Sequence, residues 1–303
     1  MEGSQRFRRA LVLGLVLGFA TAAASAQQLI IKGEYGLMAG AMAPPGFYVG
    51  AVGSFAWADE FKTADGDTID GPNLSQYVFG PLLMWVSDFK ILGGNYGATV
   101  VVPFANARIE FPRLDVSGGT GTALSQVYVA PFSLGWHFPQ ADLTFQYGFY
   151  APTGRYTAGA PDNTSLGMWS NELSLRGTVF FDQAKDWHAS LSAFYDINGK
   201  KKDLDWKTGD PVTLMYGLGR NYGSGMLKGW AGVAGYAQWQ VTDTTGADAP
   251  SLARLNKTTI YGVGPELTAL QGALTIRYFW QFGGKFSTQG PGLYVQFAMP
   301  LKF

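Results

Sequence analysis

Alternation of apolar and mixed side chains, with a period of two, runs through the chain from Phe47 onward. Successive side chains of a β-strand point to opposite faces, so this period predicts strands with one apolar face. The last segment is the clearest case, because every second residue from Leu293 to Phe303 is apolar. About twelve segments show the pattern, and their lengths are close to the roughly 9–11 residues that a tilted strand needs to cross a bilayer. They cover approximately residues 47–57, 76–87, 92–104, 125–138, 142–152, 168–182, 186–198, 211–222, 228–242, 258–270, 272–283 and 291–303.

The connections between these predicted strands alternate in length. Those after the first, third, fifth, seventh and ninth strands are long and rich in Asp, Gly, Thr and Pro, whereas those after the even-numbered strands are short. Long loops at one end and short turns at the other, on an even number of strands, are typical of an outer-membrane barrel. The sequence therefore predicts an all-β fold, a transmembrane antiparallel β-barrel of about twelve strands over residues 47–303.

A soluble β-sandwich or lipocalin-like barrel is the alternative, and the composition argues against it. Charged residues make up 15% of the chain, against about 25% in an average soluble domain. The mixed strand face carries too few charges to face water all round and too many for a dry core. A barrel with polar residues facing its lumen and apolar residues facing lipid accounts for both faces of the strands. Aromatic residues near the strand ends, such as Trp136 and Trp187, fit the interfacial girdles of such barrels.

Residue counts exclude several other classes of function. The chain has no cysteine and two histidines, which excludes thiolate zinc sites and a cysteine nucleophile. Its formal net charge of zero gives no support for nucleic-acid binding. Asp65 and Asp67 flank a glycine, as in a calcium loop, but the other ligands of that loop are absent. We predict no metal and no cofactor.

The amino terminus predicts export. Three arginines within residues 6–9 precede an apolar stretch to about Ala24, followed by a small-x-small site at 24–26, the pattern of a signal peptide over residues 1–26. A membrane anchor, the alternative, needs about 20 apolar residues. Residues 27–46 show no period. They either lie free in the periplasm or fold into the barrel as a plug.

Inward-facing charged and aromatic residues are the candidate lining of a solute path. Glu172 and Arg176 are four residues apart on one strand, about 13 Å at ~3.3 Å per residue, too far to pair directly. Each therefore needs a partner on another strand, on the plug or in water. Lumen charges that neutralise one another and brace the wall are the alternative interpretation. Aromatic walls with few charges suit an amphipathic or aromatic solute. The predicted path residues are Glu172, Arg176, Trp230, Tyr236, Gln238, Glu266, Arg277, Phe279, Tyr294 and Gln296.

His188 and Ser190 have the spacing of the histidine and serine of a barrel phospholipase. They lie beside the short turn at 183–185, however, and short turns are predicted to face the periplasm. Leu191 and Ser192 also follow, in place of the Asn-Gly expected after such a serine. We interpret the pair as polar lumen residues and predict no enzyme.

A set of turn and strand motifs extends through nearly the whole predicted mature chain. The motifs are Leu-Gly-Gly at 92–94 with Val-Pro-Phe at 102–104, Ala-Pro at 130–131 with Leu-Gly-Trp at 134–136, Ala-Pro-Thr-Gly-Arg-Tyr at 151–156, Gly-Asp at 209–210, Gly-Val-Gly-Pro-Glu at 262–266 and Pro-Pro-Gly-Phe-Tyr at 44–48. Together they resemble an outer-membrane family associated with the MetA pathway of phenol degradation. That family is similar to the FadL class of barrels, which admit hydrophobic small molecules. The loop at 199–210, with three consecutive lysines, is more basic than the family pattern.

The resemblance implies passive uptake of small hydrophobic, aromatic or lipid-like compounds through the outer membrane of a Gram-negative bacterium. A general porin and a structural barrel are the alternatives, and a lipid hydrolase is the least favoured. The expected partners are outer-membrane lipid, lipopolysaccharide, the solute, and the insertion machinery that reads a last strand ending in Phe303.

Overall fold

The computed structural model describes residues 33–111, 116–160 and 162–301. The predicted signal peptide, residues 27–32 and Phe303 therefore lie outside the described residues. The described helices are one short turn, α1 (Ser251–Leu255), and two 3₁₀ turns at Gly225–Leu227 and Leu270–Gly272. None of them has the length and apolarity needed to cross a membrane. The strands are β1 (Gly46–Lys62), β2 (Thr68–Ile91), β3 (Gly94–Val101), β4 (Phe104–Phe111), β5 (Val116–Gly119), β6 (Ala123–Leu124), β7 (Val127–Phe138), β8 (Ala141–Ala151), β9 (Ser170–Phe180), β10 (Trp187–Asn198), β11 (Pro211–Tyr222), β12 (Gly229–Gln240), β13 (Thr259–Ala269), β14 (Leu274–Lys285), β15 (Ser287–Gln289) and β16 (Gly292–Pro300).

Twelve of the described strands close into one antiparallel barrel. The order around the wall is β1, β2, β3, β7, β8, β9, β10, β11, β12, β13, β14 and β16, and β16 pairs with β1. The closing ladder runs from Tyr48 opposite Pro300 to Ala56 opposite Gly292. Closure joins the first and last strands, which would otherwise be exposed edges. The predicted all-β fold and strand number are confirmed.

The wall is apolar outside and polar inside, the reverse of a soluble barrel. On β9, Leu173 and Leu175 are exposed on the outer face, whereas Ser174 and Thr178 on the inner face are buried. The same alternation occurs on β8, β10 and β13, as the period of two predicts. An outer face of this kind suits a hydrocarbon surrounding. Exposed aromatic residues occur near strand ends, among them Phe138, Trp169, Phe181 and Trp187.

The first hairpin is longer than the sequence pattern predicts. The predicted strands 47–57 and 76–87 leave a loop over 58–75. In the structure β1 and β2 continue to pair as far as Lys62 opposite Thr68. In the same way, the expected loop over 105–124 contains β4, which pairs with the first part of β2, and β5 and β6, which pair with β4. Backbone pairing does not need an apolar face, so the ladder continues where the alternation of side chains has ended.

Pro131 lies in a bulge in the middle of β7. The register of β7 shifts against β3 and against β8 at this point, with one extra residue on β7 each time. Proline cannot donate a ladder hydrogen bond, and a bulge is where a strand tolerates it. The bulge also changes which residues face inward: Tyr128 and Ala130 are buried before it, and Ser133 after it.

Candidate functional site in the barrel lumen

Residues 33–42, here called the inner segment, lie inside the barrel and cross its lumen. Gly33 lies against the Phe279 ring on β14, and Leu37 is fully buried over Gly217 on β11. Met42, at the other end of the segment, packs beside β3 and β7. The segment thus contacts widely separated parts of the wall before the chain enters β1.

Hydrogen bonds fix the backbone of the inner segment to inward-facing side chains. Gly40 N donates to Thr178 Oγ1 at 2.9 Å, and Thr144 Oγ1 donates to Gly40 O at 2.8 Å. Ser190 Oγ donates to Gly36 O. A Cβ at Gly36 would overlap a Glu266 oxygen, and one at Gly40 would overlap the Thr178 backbone nitrogen. Glycine is therefore required at both positions by close approach to the wall.

A buried ion pair holds the other side of the inner segment. Glu266 on β13 and Arg277 on β14 stand opposite each other in the ladder, with Arg277 Nε 2.7 Å from Glu266 Oε2. Leu37 N donates to the same carboxylate at 3.0 Å, and Arg277 Nη1 donates to Glu34 O at 2.8 Å. The pair therefore binds the wall and the segment at once.

Glu172 and Arg176 find their partners on other strands, as their spacing predicts. Glu172 accepts hydrogen bonds from Tyr128 at 2.7 Å and from Tyr150 at 3.1 Å. Arg176 Nη2 donates to Gln146 on β8 at 3.0 Å, and its guanidinium lies 4.2 Å from the centroid of the Tyr35 ring in the inner segment. The interaction with Tyr35 is a cation–π contact.

A cavity of about 260 Å³ lies in the lumen beside the inner segment. Its wall combines seven aromatic residues with small apolar and neutral polar side chains, and Glu34 of the inner segment contributes to its lining. Loop residues 163–166, between β8 and β9, also line it, so the cavity lies toward the end of the barrel that carries the long loops. The buried aromatic lining residues are Tyr128, Tyr150, Tyr236, Phe279 and Tyr294, and the exposed Phe55 and Trp57 of β1 also contribute.

The predicted path residues divide into three groups. Tyr236, Phe279 and Tyr294 line the cavity. Glu172, Arg176, Glu266 and Arg277 are buried and bind either the inner segment or the tyrosines of the cavity. The remaining three lie apart from the cavity lining. Trp230 is near the short-turn end of β12, Gln238 donates to Thr213 at 2.8 Å, and Gln296 is half-buried on β16. Their role in a path stays a prediction.

Tyr128 and Tyr150 are cavity residues that the sequence pattern missed. Both are buried, and their rings are 4.7 Å apart. Tyr150 could have been found from the regular alternation of β8. Tyr128 could not, because the bulge at Pro131 reverses the alternation between the two halves of β7.

His188 and Ser190 do face inward, as predicted. Ser190 Oγ is bonded to the inner segment, and the fully buried His188 ring meets the Phe180 ring edge-on at 6.2 Å. Neither ring nitrogen of His188 has a hydrogen-bond partner among the described residues. Because its hydroxyl is bonded to Gly36 O, Ser190 helps to hold the inner segment.

We expect the docking of the inner segment to depend on pH because of Glu34. Its burial in the lumen raises the pKa of the Glu34 carboxyl to about 8; Glu172 adds to the increase, and Arg176 and Arg277 oppose it. A carboxyl group whose pKa is raised by docking favours the docked state at low pH. This contribution is complete below the ordinary pKa of 4.5 and is lost as the pH rises through about 8.

We therefore expect the inner segment to become more accessible as the pH rises from 5 to 9. The chain has no native cysteine, so an Ala39→Cys variant can be labelled with a maleimide and normalised to a Ser224→Cys variant in an exposed turn. The normalised rate should rise by at least about tenfold, because one pKa unit corresponds to a factor of ten and the pKa of docked Glu34 lies more than one unit above its ordinary value. Adding Glu34→Gln should flatten the profile. An equally steep profile after that substitution would assign the effect to another group.

The sequence matches the family described as "Putative MetA-pathway of phenol degradation" over residues 58–297. The chain belongs to this family. The match begins within β1 and ends within β16, so it covers almost the whole barrel wall. The resemblance indicated by the turn motifs is confirmed. No curated protein matches the sequence significantly.

Three solved structures of bacterial proteins are similar to this family member. The COG4313 outer membrane channel from Pseudomonas putida F1 is 13% identical, with a TM-score of 0.72, over 90% of this chain and 100% of that one. At this identity the likeness shows a shared fold. The β domain of the Bordetella autotransporter BrkA is 13% identical, with a TM-score of 0.41, over 85% and 100%. A Pseudomonas aeruginosa FadL homologue is 11% identical, with a TM-score of 0.40, over 86% and 95%.

Proposed function

We propose that this family member is a passive outer-membrane channel that admits small hydrophobic or aromatic compounds. The aromatic cavity in the lumen carries the proposal. Its volume of about 260 Å³ exceeds the ~150 Å³ of an apolar cavity known to bind benzene, so a single-ring solute fits. Glu34 is the only charged residue in the lining among the described residues, which disfavours inorganic ions.

In this mechanism a solute enters among the long loops and partitions into the aromatic cavity. The inner segment then acts as a plug, because it lies across the lumen below the cavity and is bound to several strands. The exposed apolar band of the wall would contact outer-membrane lipid and lipopolysaccharide. Insertion machinery would read the last strand, β16.

A general porin is the second candidate. The observation that favours it is that loop residues Asn163–Leu166 line the cavity, as an inward-folded constriction loop would. The two candidates differ in ion conduction. Large, stable currents through the wild-type protein in planar bilayers would support the porin, whereas an aromatic channel closed by a plug should conduct weakly.

Uptake by cells tests the aromatic channel directly. A deletion strain should take up a panel of radiolabelled aromatic compounds more slowly than its parent, and the wild-type gene should restore the rate. A Ser54→Trp variant should fail to restore it, because Ser54 lines the cavity. Ala51→Trp is the matched control, since Ala51 lies on the same strand and is exposed on its outer face. Equal uptake by the deletion strain and the parent would contradict the proposal and leave a structural barrel.

A further inference from the structure

A groove of about 440 Å³ lies on the outer face of the wall, where β16, β1, β2 and β4 are side by side. Strand pairing places its outward-facing residues in two rows. The first row contains Leu293, Phe55, Tyr77 and Asn106, and the second contains Trp57, Ser75 and Arg108. The second row is two residues nearer the long loops. Apolar side chains thus lie on one side of the groove, and Asn106 and Arg108 lie on the other.

The groove lies at the outer end of the apolar band of the wall. Phe47, near the short-turn end of β1, is exposed and stacks on Trp85. Trp57 is also exposed, ten residues further along β1. Ten residues advance about 33 Å along a strand, and a tilt of about 40° reduces this to about 25 Å, the height of the apolar band. Long loops mark the extracellular side, so Trp57 and Arg108 lie at the level of the outer-leaflet headgroups.

Ser75 leaves room between two large side chains. It stands opposite Trp57 in one ladder and opposite Arg108 in the next. The Arg108 side chain is 66% exposed, and its Nε lies 2.7 Å from a Glu110 oxygen, two residues along the same strand. A guanidinium carries five N–H donors in a fork that matches a phosphate. The groove therefore combines an apolar wall, an open floor and a cation suited to phosphate.

We propose that this groove binds the glucosamine phosphate headgroup of lipopolysaccharide. Arg108 contacts the phosphate, Trp57 packs against the apolar face of the sugar ring, and an acyl chain runs toward the middle of the membrane past Phe55. Trp57 and Arg108 are two strands apart, about 10 Å, which a sugar ring and its phosphate together span. Binding replaces the exposed ion pair with Glu110, which contributes little to stability. The inference goes beyond the proposed function, because it does not depend on what passes through the lumen.

Binding of lipid A to the purified protein in detergent, measured by calorimetry, tests the site. Wild type should bind lipid A more tightly than phosphatidylglycerol, which has a phosphate but no sugar ring. Arg108→Ala should lower the affinity for lipid A by about tenfold, because charge-assisted hydrogen bonds are lost. Ser75→Trp should lower it as well by filling the floor of the groove. Glu110→Gln should raise it, because the competing carboxylate is gone.

Arg220→Ala is the matched control. Arg220 is also an exposed arginine beside an exposed tryptophan, with its guanidinium 5.5 Å from the centroid of the Trp187 ring, but it lies at the short-turn end. Its loss should leave lipid A binding unchanged. The inference is overturned if Arg108→Ala keeps the wild-type affinity or if Arg220→Ala weakens binding equally. Equal binding of phosphatidylglycerol and lipid A by wild type would also overturn it, since the groove would then select no sugar.

Discussion

Deleting residues 29–42 is expected to raise the ion conductance of the barrel by about tenfold, because a wall of twelve strands encloses more space than its own side chains fill. The inner segment occupies that space and is bound to β8, β9, β10, β13 and β14. Without it the lumen becomes continuous from the cavity to the short-turn end. The deletion retains residues 27 and 28, so the predicted signal cleavage site is unchanged. Single-channel recording in planar bilayers measures the effect.

A variant with a Gly/Ser stretch of the same length in place of residues 29–42 is the control for chain volume. It lacks the side chains of Tyr35 and Leu37 that anchor the segment, so it should conduct nearly as well as the deletion. Uptake of an aromatic solute by cells should rise in parallel. If the deletion variant folds but its conductance and uptake equal those of wild type, the segment is not a gate.

Arg277→Ala is expected to lower the free energy of unfolding by about 3–5 kcal/mol, the usual cost of leaving one member of a buried ion pair alone. The side chains of Arg277 and Glu266 are 7% and 0% exposed, respectively. The substitution strands the Glu266 carboxylate and also removes the donor to the Glu34 carbonyl. Equilibrium unfolding in urea, in lipid vesicles, measures the change.

Two variants control for this prediction. The double variant Glu266→Gln, Arg277→Met removes both charges. Its free energy of unfolding should therefore fall much less than that of Arg277→Ala. Arg108→Ala breaks an ion pair with Glu110 whose side chains are 66% and 39% exposed, and an exposed pair contributes about 1 kcal/mol or less. Equal decreases in the free energy of unfolding for Arg277→Ala and Arg108→Ala would show that the buried pair contributes no more to stability than the exposed pair.

The lumen shows where prediction from sequence succeeds and where it fails. The sequence predicts that Glu172 and Arg176 face inward without a direct mutual contact, since strand geometry alone determines their separation. Their actual partners, Tyr128, Gln146 and Tyr35, come from other strands and from the inner segment. Pairing of β7, β8 and β9 side by side brings the wall residues together, and the bulge at Pro131 changes the face of Tyr128. No local pattern contains that information.

The sequence by itself determined the class of fold and the assignment of faces. Side-chain alternation is a local property of an extended chain, and a consistent period of two over about twelve segments leaves few other folds. Only the tertiary structure decided what fills the lumen. The inner segment has no periodicity, and its contacts join distant parts of the chain, such as Leu37 with Glu266, 229 residues apart. Those contacts exist only after the barrel has closed, because closure places β13, β14 and β9 around one interior.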